Sequence, residues 1–271
     1  MKTSNHLLRR LTAALLAAVL ALSIALPVFA SDDGDTIYIN SVSDLLSLAK
    51  SCAYDQWSVG KTVILQKDLS LEGMLWEPIP SFSGQFKGNG HTISDLTITG
   101  QYSPAGLFGI VEEQGSIESL SVRGIVSVSD SADTTTGGIV GINHGTLINC
   151  QFTGVVTGDS EVGGIVGRNE SEGTIDHSTA RAIVTGKSST GGIAGYNLGA
   201  ITGCTNVGSI NTEYPEASLD TDGFTAKMVD QINNKMAAAD DDATNSVTTV
   251  ATDTGGIAGR SSGMILTSVN T

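Results

Sequence analysis

Four histidines, three cysteines and a set of acidic residues are the side chains here with the means to do chemistry. One common zinc-peptidase signature sets two histidines one helical turn apart, with a glutamate beside the first, and no His-Glu-x-x-His occurs around His6, His91, His144 or His177. Gly-x-Ser-x-Gly, the elbow of many serine hydrolases, is also missing. Cys150 with His144 has the composition of a thiol dyad, but the alternation around Cys150 points its sulfur inward, where thiols are inert. Glycan cleavage needs carboxylates, or calcium with a base, gathered on one face. The candidates Asp159, Glu161, Asp176 and Arg181 do not fall in one column when the chain is aligned on itself. Asp240-Asp241-Asp242 lacks the alternating loop and closing Glu of a calcium hand and reads as a solvated acidic loop. No catalytic residue, cofactor or metal site is assigned.

The elements that position these side chains follow from repetition. Gly-Gly-Ile-Val/Ala-Gly occurs at Gly137–Gly141, Gly163–Gly167, Gly191–Gly195 and Gly255–Gly259, after a degenerate forerunner at Gly106-Leu107-Phe108-Gly109. A repeated unit that cannot bury its own apolar face must stack on its neighbours. From Gly138 to Gly164 is 26 residues and from Gly164 to Gly192 is 28, room for three short strands and three turns. That predicts one coil of a right-handed parallel β-helix per repeat, an all-β solenoid. The extra Ser171-Glu172 falls at a turn, where it leaves the inward register intact.

Alternation marks the inward columns. Ile117, Leu147, Ile175, Ile201 and Ile265 occupy one strand position. Further on, Leu120, Val122, Gly124 and Val126 align with Cys150, Phe152, Gly154 and Val156, then with Ser178, Ala180, Ala182 and Val184, then with Cys204, Asn206, Gly208 and Ile210. The Asn that follows each phrase (Asn143, Asn169, Asn197) is expected to stack and hydrogen-bond rather than bind a ligand. Cys150 and Cys204 share a column with Ser178 between them, so their Cα atoms stand about 9.6 Å apart, beyond the ~7 Å reach of a disulfide. With Cys52 near the N-terminus, all three cysteines are expected to be free.

The two ends read differently from the middle. Residues 1–30 have a basic start (Lys2, Arg9, Arg10), an apolar run from Leu11 to Leu26 and a small-residue site ending at Ala30, so cleavage is expected between Ala30 and Ser31. Removal of those three basic residues takes the formal charge from -14 to -17, which argues against nucleic acid and anionic membranes as partners. Residues 31–105 form an N-terminal cap and first coils, with Ser41-Val42-Ser43-Asp44 opening a short capping helix through Leu45, Leu46, Leu48 and Ala49. Trp57 and Trp76 are expected to pack there. Residues 106–212 hold the repeats. Residues 213–254 carry 9 acidic and 2 basic residues, and Phe224, Met228, Ile232 and Met236 give an apolar stripe on a helical insertion. Residues 255–271 form a partial last repeat, consistent with a truncated chain.

The Gly-Leu-Phe-Gly and Gly-Gly-Ile-Val-Gly-x-Asn-x-Gly-x-Ile-x-Asn-Cys phrases resemble the GLUG repeat of bacterial surface proteins, and Phe82 to Ile93 with Leu96-Thr-Ile98 is similar to the coil leading into it. The likeness covers about Ile37 to Asn211 and resumes at Gly255. It implies a secreted or cell-surface, adhesin-like module, of the sort also found beside immunoglobulin-A-cleaving metallopeptidases; it names no ligand, and the expected partner is an unknown extracellular protein or glycan. The expectation is therefore a non-catalytic exported module with no membrane span in the mature chain. The alternatives are a carbohydrate-active β-helix enzyme or an accessory region of a metallopeptidase.

Overall fold

The computed structural model describes residues 35–54, 56–128, 134–211 and 252–271. The leader with its Ala30–Ser31 site, the helical insertion up to residue 251 and the Asp240–Asp242 loop lie outside the described residues; Thr252–Thr254, which the sequence assigns to the insertion, instead open a strand that pairs with Ser188–Gly191 of the preceding coil. What is described is a β-solenoid in which every strand pairing is parallel to the equivalent strand of the next coil.

Four sheets run along it. Sheet 1 collects Thr36–Ile39, Thr62–Leu65, Gln85–Lys87, Ser116–Glu118, Thr146–Ile148, Thr174–Asp176, Ala200–Thr202 and Met264–Leu266. Sheet 2 holds Leu69–Ser70, Thr92–Gly100, Ser121–Val128, Gln151–Thr157, Thr179–Thr185, Thr205–Asn206, Ser209–Ile210 and Val269–Asn270. Sheet 3 stacks Ile79–Phe82, Phe108–Val111, Val140–Asn143, Val166–Asn169, Ala194–Asn197 and Ala258–Ser261. Sheet 4 has Thr135–Gly137, Glu161–Gly163, Ser188–Gly191 and Thr252–Gly255.

A repeat coil therefore has four strands where the spacing predicts three. The reason is local. Each Gly-Gly-Ile phrase bends the chain between a three- or four-residue strand of sheet 4 and the next strand of sheet 3. The forerunner Gly106-Leu107-Phe108-Gly109 has no second adjacent glycine, and its coil contributes only an isolated bridge, Ala105 to Thr136, in place of a fourth strand. The two-residue insertion sits where expected: the register offset is 26 from Val140 to Val166 and 28 from Leu147 to Ile175, and Ser171-Glu172 form the turn between.

The inward columns are the core. Ile117, Leu147, Ile175 and Ile201 are wholly buried, as are Leu120, Val122, Val126, Phe152, Val156, Ala180, Ala182 and Val184. Only Ile265, in the last coil, departs from its column, at 39% exposure. The first coils are filled by aromatics, with the Phe82, Phe86 and Phe108 rings 5.4–6.3 Å apart in tilted or edge-on contact. Further along, the register column shrinks from Phe152 to Ala180 and widens again at Asn206.

Helix α1 (Val42–Ser51) begins as its capping sequence dictates. Ser41 Oγ accepts from the Asp44 amide at 3.2 Å, and Asp44 Oδ2 accepts from the Asn40 amide at 2.9 Å, so two orphan donors are satisfied reciprocally. The Asn40 amide first, and the Ser41 hydroxyl second, hold the Asp44 carboxyl below its usual range. Leu45 and Leu48 are buried while Leu46 stays exposed, so one stripe of the helix packs against the first strand of sheet 1 and Ile79–Phe82. Trp76 is buried with its indole N–H donating to Leu107 O at 3.2 Å, and the half-buried Trp57 lies under the Lys61 ammonium.

The cysteine column has the expected register. The Cys150 amide donates to Ser178 Oγ at 3.1 Å, the Ser178 amide to Cys204 Sγ at 3.4 Å, and the Cys204 amide to Ser268 Oγ at 3.2 Å. Hydroxyl and thiol thus do the same job, bridging one coil to the next. Cys52, Cys150 and Cys204 are buried and unpaired. Desolvation pushes the thiol of Cys150 up to about 12 and those of Cys52 and Cys204 up to about 11. Native protein at mildly alkaline pH should therefore resist alkylation at all three sites, since the thiolate is the reactive form. Denatured, unreduced protein should take up three labels by mass spectrometry. A Cys150–Cys204 link surviving denaturation would overturn the register.

Candidate functional site

The residues with catalytic potential are dispersed by the winding of the chain. Glu161 lies on sheet 4, Asp176 on sheet 1 and Arg181 on sheet 2, while Asp159 stands at the corner between sheets 2 and 4. Three of them are already engaged. Asp159 pairs with Lys187 Nζ at 2.5 Å, Glu161 with Arg168 at 2.7 Å, and Asp176 with its neighbour His177 at 2.8 Å. Pairs of this kind on a wet surface contribute at most about 1 kcal/mol each, so they position side chains more than they stabilise. Glu161 also accepts from Thr135 Oγ1 at 3.1 Å, tying two coils together.

The histidines are explained by backbone. At the corner from sheet 1 to sheet 2 every repeat places a residue in the left-handed region: Ser119, Asn149, His177, Gly203 and Thr267. His177 is thus a corner residue, its φ of 46° fixed by the turn. His91 sits beside Asp68, whose carboxyl is lowered by the Thr92 amide first and by His91 second. His144 occupies the turn between sheets 3 and 1, while the Cys150 thiol donates inward to Ile148 O at 3.4 Å. No dyad forms between them. Among the described residues, no three His, Cys, Asp or Glu side chains gather as a metal site.

The recurring Asn is a buried ladder. Asn143 Nδ2 donates to Asn169 Oδ1 at 2.8 Å, Asn169 Nδ2 to Asn197 Oδ1 at 2.8 Å, and Asn197 Nδ2 to Ser261 Oγ at 3.2 Å. All three asparagines are wholly buried and also close their own turns, through Gly145, Gly173 and Gly199 carbonyls. The ladder is architecture, as its repetition implied. A second one joins Asn206 Nδ2 to Asn270 Oδ1 at 2.7 Å.

Two outward arrangements escaped the sequence reading. On sheet 3, Arg168, Tyr196 and Arg260 are register partners, and the two guanidinium groups lie 5.2 and 5.3 Å from the Tyr196 ring centre. Arg168 is neutralised by Glu161 and, at 3.6 Å, Glu170. On sheet 2, Arg123, Thr153 and Arg181 share a column on the outer face. The signal for both was present in the aligned repeats: the residue before each ladder Asn reads Ile142, Arg168, Tyr196, and the residue after each inward Val122, Phe152 and Ala180 reads Arg123, Thr153, Arg181.

Over 155 residues the chain is 32% identical to halomucin of Haloquadratum walsbyi, an alignment covering 52% of this chain and 2% of that protein. Over 137 residues it is 29% identical to a protein of Evansella cellulosilytica provisionally named a Gly-rich membrane protein, covering 36% of this chain and 16% of the other. The chain thus spans only a small part of the relatives it matches. A crystal structure from Bacteroides ovatus, provisionally named an immunoglobulin A1 protease, aligns with a TM-score of 0.43 and 15% identity over 71% of this chain and 82% of that one. No helix among the described residues is long and apolar enough to cross a membrane. The stretch from Gly158 to Thr185 takes in one strand of each sheet, sheet 4 through sheet 2, and these residues match the family model of the GLUG motif: the chain carries a GLUG repeat, and its unit is one four-stranded coil.

Proposed function

We propose that this chain is an exported, non-catalytic β-helical module of a larger cell-surface or secreted protein, displaying flat sheet faces to an extracellular partner. One observation carries the reading. The acid, base and nucleophile candidates are distributed over three sheets and a corner, with Asp159, Glu161 and Asp176 in ion pairs and Cys150 in the core, while the features that do repeat from coil to coil are internal ladders. Such a solenoid is built to hold surfaces in register rather than to converge groups on a reacting atom. Matches that occupy a small fraction of much longer relatives fit a module within a larger protein.

The test has two readouts. Protein recovered from the medium of a secreting host should begin at Ser31; residues 1–30 retained on membrane-bound protein would reject export. Incubated with a panel of acidic polysaccharides, the purified protein should release no reducing ends. Turnover that disappears in Asp176→Asn or Glu161→Gln would make the chain a carbohydrate-active enzyme instead.

A further inference from the structure

Sheet 1 runs the length of the described solenoid, and both of its edges are open. It begins at Thr36–Ile39 and finishes at Met264–Leu266, each paired with a neighbouring strand on one side only. Its inward column is wholly buried from Val63 to Ile201, but the two end members are not: Ile37 is half-buried and Ile265 is 39% exposed. The outward column changes at the same two places. Its interior includes Lys87, Glu118 and Asp176, while its ends are Tyr38 and Leu266, 54% and 47% exposed. Among the described residues, no large hydrophobic side chain between Leu75 and Val207 is exposed, so apolar surface gathers toward the two ends and is missing from the flanks.

We propose that copies of this chain join head to tail, the Met264–Leu266 edge of one accepting the Thr36–Ile39 edge of the next. This goes beyond the module reading and does not depend on it. An open strand edge is a template for another strand. Here each edge supplies what the other lacks. Within sheet 1 every strand is parallel to its neighbours; the following strand takes the side that Met264–Leu266 leaves open, and the preceding strand takes the side that Thr36–Ile39 leaves open. Laid parallel in the register of the interior coils, the two strands set Ile37 on Ile265 and Tyr38 on Leu266. The inward column then continues unbroken, and the two exposed outward side chains cover each other. Like ends offer no such continuation, because two Met264–Leu266 edges would meet antiparallel, against the direction of every pairing in the solenoid. Helix α1 packs against Thr36–Ile39 and Ile79–Phe82, which closes the inside of the first coil, while no strand among the described residues pairs on the outer side of Thr36–Ile39. Since the two surfaces joined are different, the contact repeats without closing, and the product is a filament.

The experiment follows the full mature chain, Ser31 to Thr271, by sedimentation velocity over a wide range of concentration. Dimers, trimers and longer species that grow with concentration are expected. Added salt should strengthen the association, because copies of this acidic chain repel one another while the joint itself is apolar. Leu266→Lys and Tyr38→Lys change outward positions, so each variant should keep the fold, which circular dichroism checks, and each alone should associate about tenfold more weakly or worse. A mixture of the two is the sharper test. The intact Leu266 end of the Tyr38→Lys copy then meets the intact Tyr38 end of the Leu266→Lys copy, giving dimers and nothing longer. Ile148→Lys, in the same outward column but in mid-solenoid, should associate as the parent does. The inference is overturned by a parent that stays monomeric at every concentration or stops at dimers, by a mixture that recovers no association, or by Ile148→Lys losing as much as the end variants.

Discussion

Gly164→Val should lower stability by about 3 kcal/mol or more, among the larger effects available to a single substitution in this chain. A Cβ at Gly164 would stand 2.2 Å from the Gly192 carbonyl oxygen of the next coil and 2.9 Å from Ala180 Cβ. Neither obstacle can swing aside, because one is backbone inside the stack and the other the stub of a core residue. The φ of Gly164 is not in the left-handed region, so close approach, and not conformational freedom, is the constraint. Across the core from each such glycine lies one sheet 2 column: Phe152 opposite Gly138, Ala180 opposite Gly164, Asn206 opposite Gly192. The Gly-Gly bend is thus pressed onto sheet 2, and any side chain there would wedge two coils apart. In a thermal melt of a domain this size the midpoint should fall by roughly 6–12 °C. Glu172→Val, at the exposed turn of the same coil, should shift it little. An unchanged midpoint in Gly164→Val would show that the coils can separate there at no cost.

That bend also marks where sequence reading stopped short. Columns such as Ile117, Leu147, Ile175 and Ile201 were legible because strand alternation has a fixed period and a one-residue slip would turn the whole set outward. The Cys150, Ser178, Cys204 column was legible for the same reason, and its hydrogen bonds explain why a hydroxyl and a thiol interchange there. The fourth strand was not legible. Thr135–Gly137 and Glu161–Gly163 are three residues long and end in glycine, so composition marks them as turn, and only pairing with the neighbouring coil makes them strand. The outward faces were harder still. Arg168, Tyr196 and Arg260 meet because register stacks residues 28 and 64 positions apart, and polar outward positions carry no periodic signal of their own. Arg181 was noticed as a catalytic candidate, yet its partner in the column, Arg123, was not.

Asn169→Asp should reveal the buried ladder through pH. In the parent, Asn169 Oδ1 accepts from Asn143, and its Nδ2 donates to Asn197 Oδ1 at 2.8 Å and to Gly173 O at 3.1 Å. Asp keeps the shape and the first bond but, when ionised, turns a second acceptor toward two acceptors in a wholly buried position. An uncompensated buried carboxylate of this kind costs about 3–5 kcal/mol at neutral pH. Burial and the facing oxygens favour the neutral acid, so the folded-state pKa rises above the unfolded value of about 3.9. The folded variant then binds a proton that the unfolded chain has released. Its stability is fully present below the unfolded pKa and is lost as pH rises through the raised folded one. Relative to the parent, the deficit should therefore be largest at neutral pH and shrink as pH falls toward 4, where the carboxylic O–H can donate to Asn197. Asn169→Ala should cost about 2–4 kcal/mol, from the unpaired Asn197 oxygen and the weakened Asn143 amide, with no such pH dependence. Chemical denaturation of the three proteins across the acid range distinguishes the cases. A deficit in Asn169→Asp that does not change with pH would mean the carboxylate reaches water, and that the ladder is not the sealed seam joining successive coils.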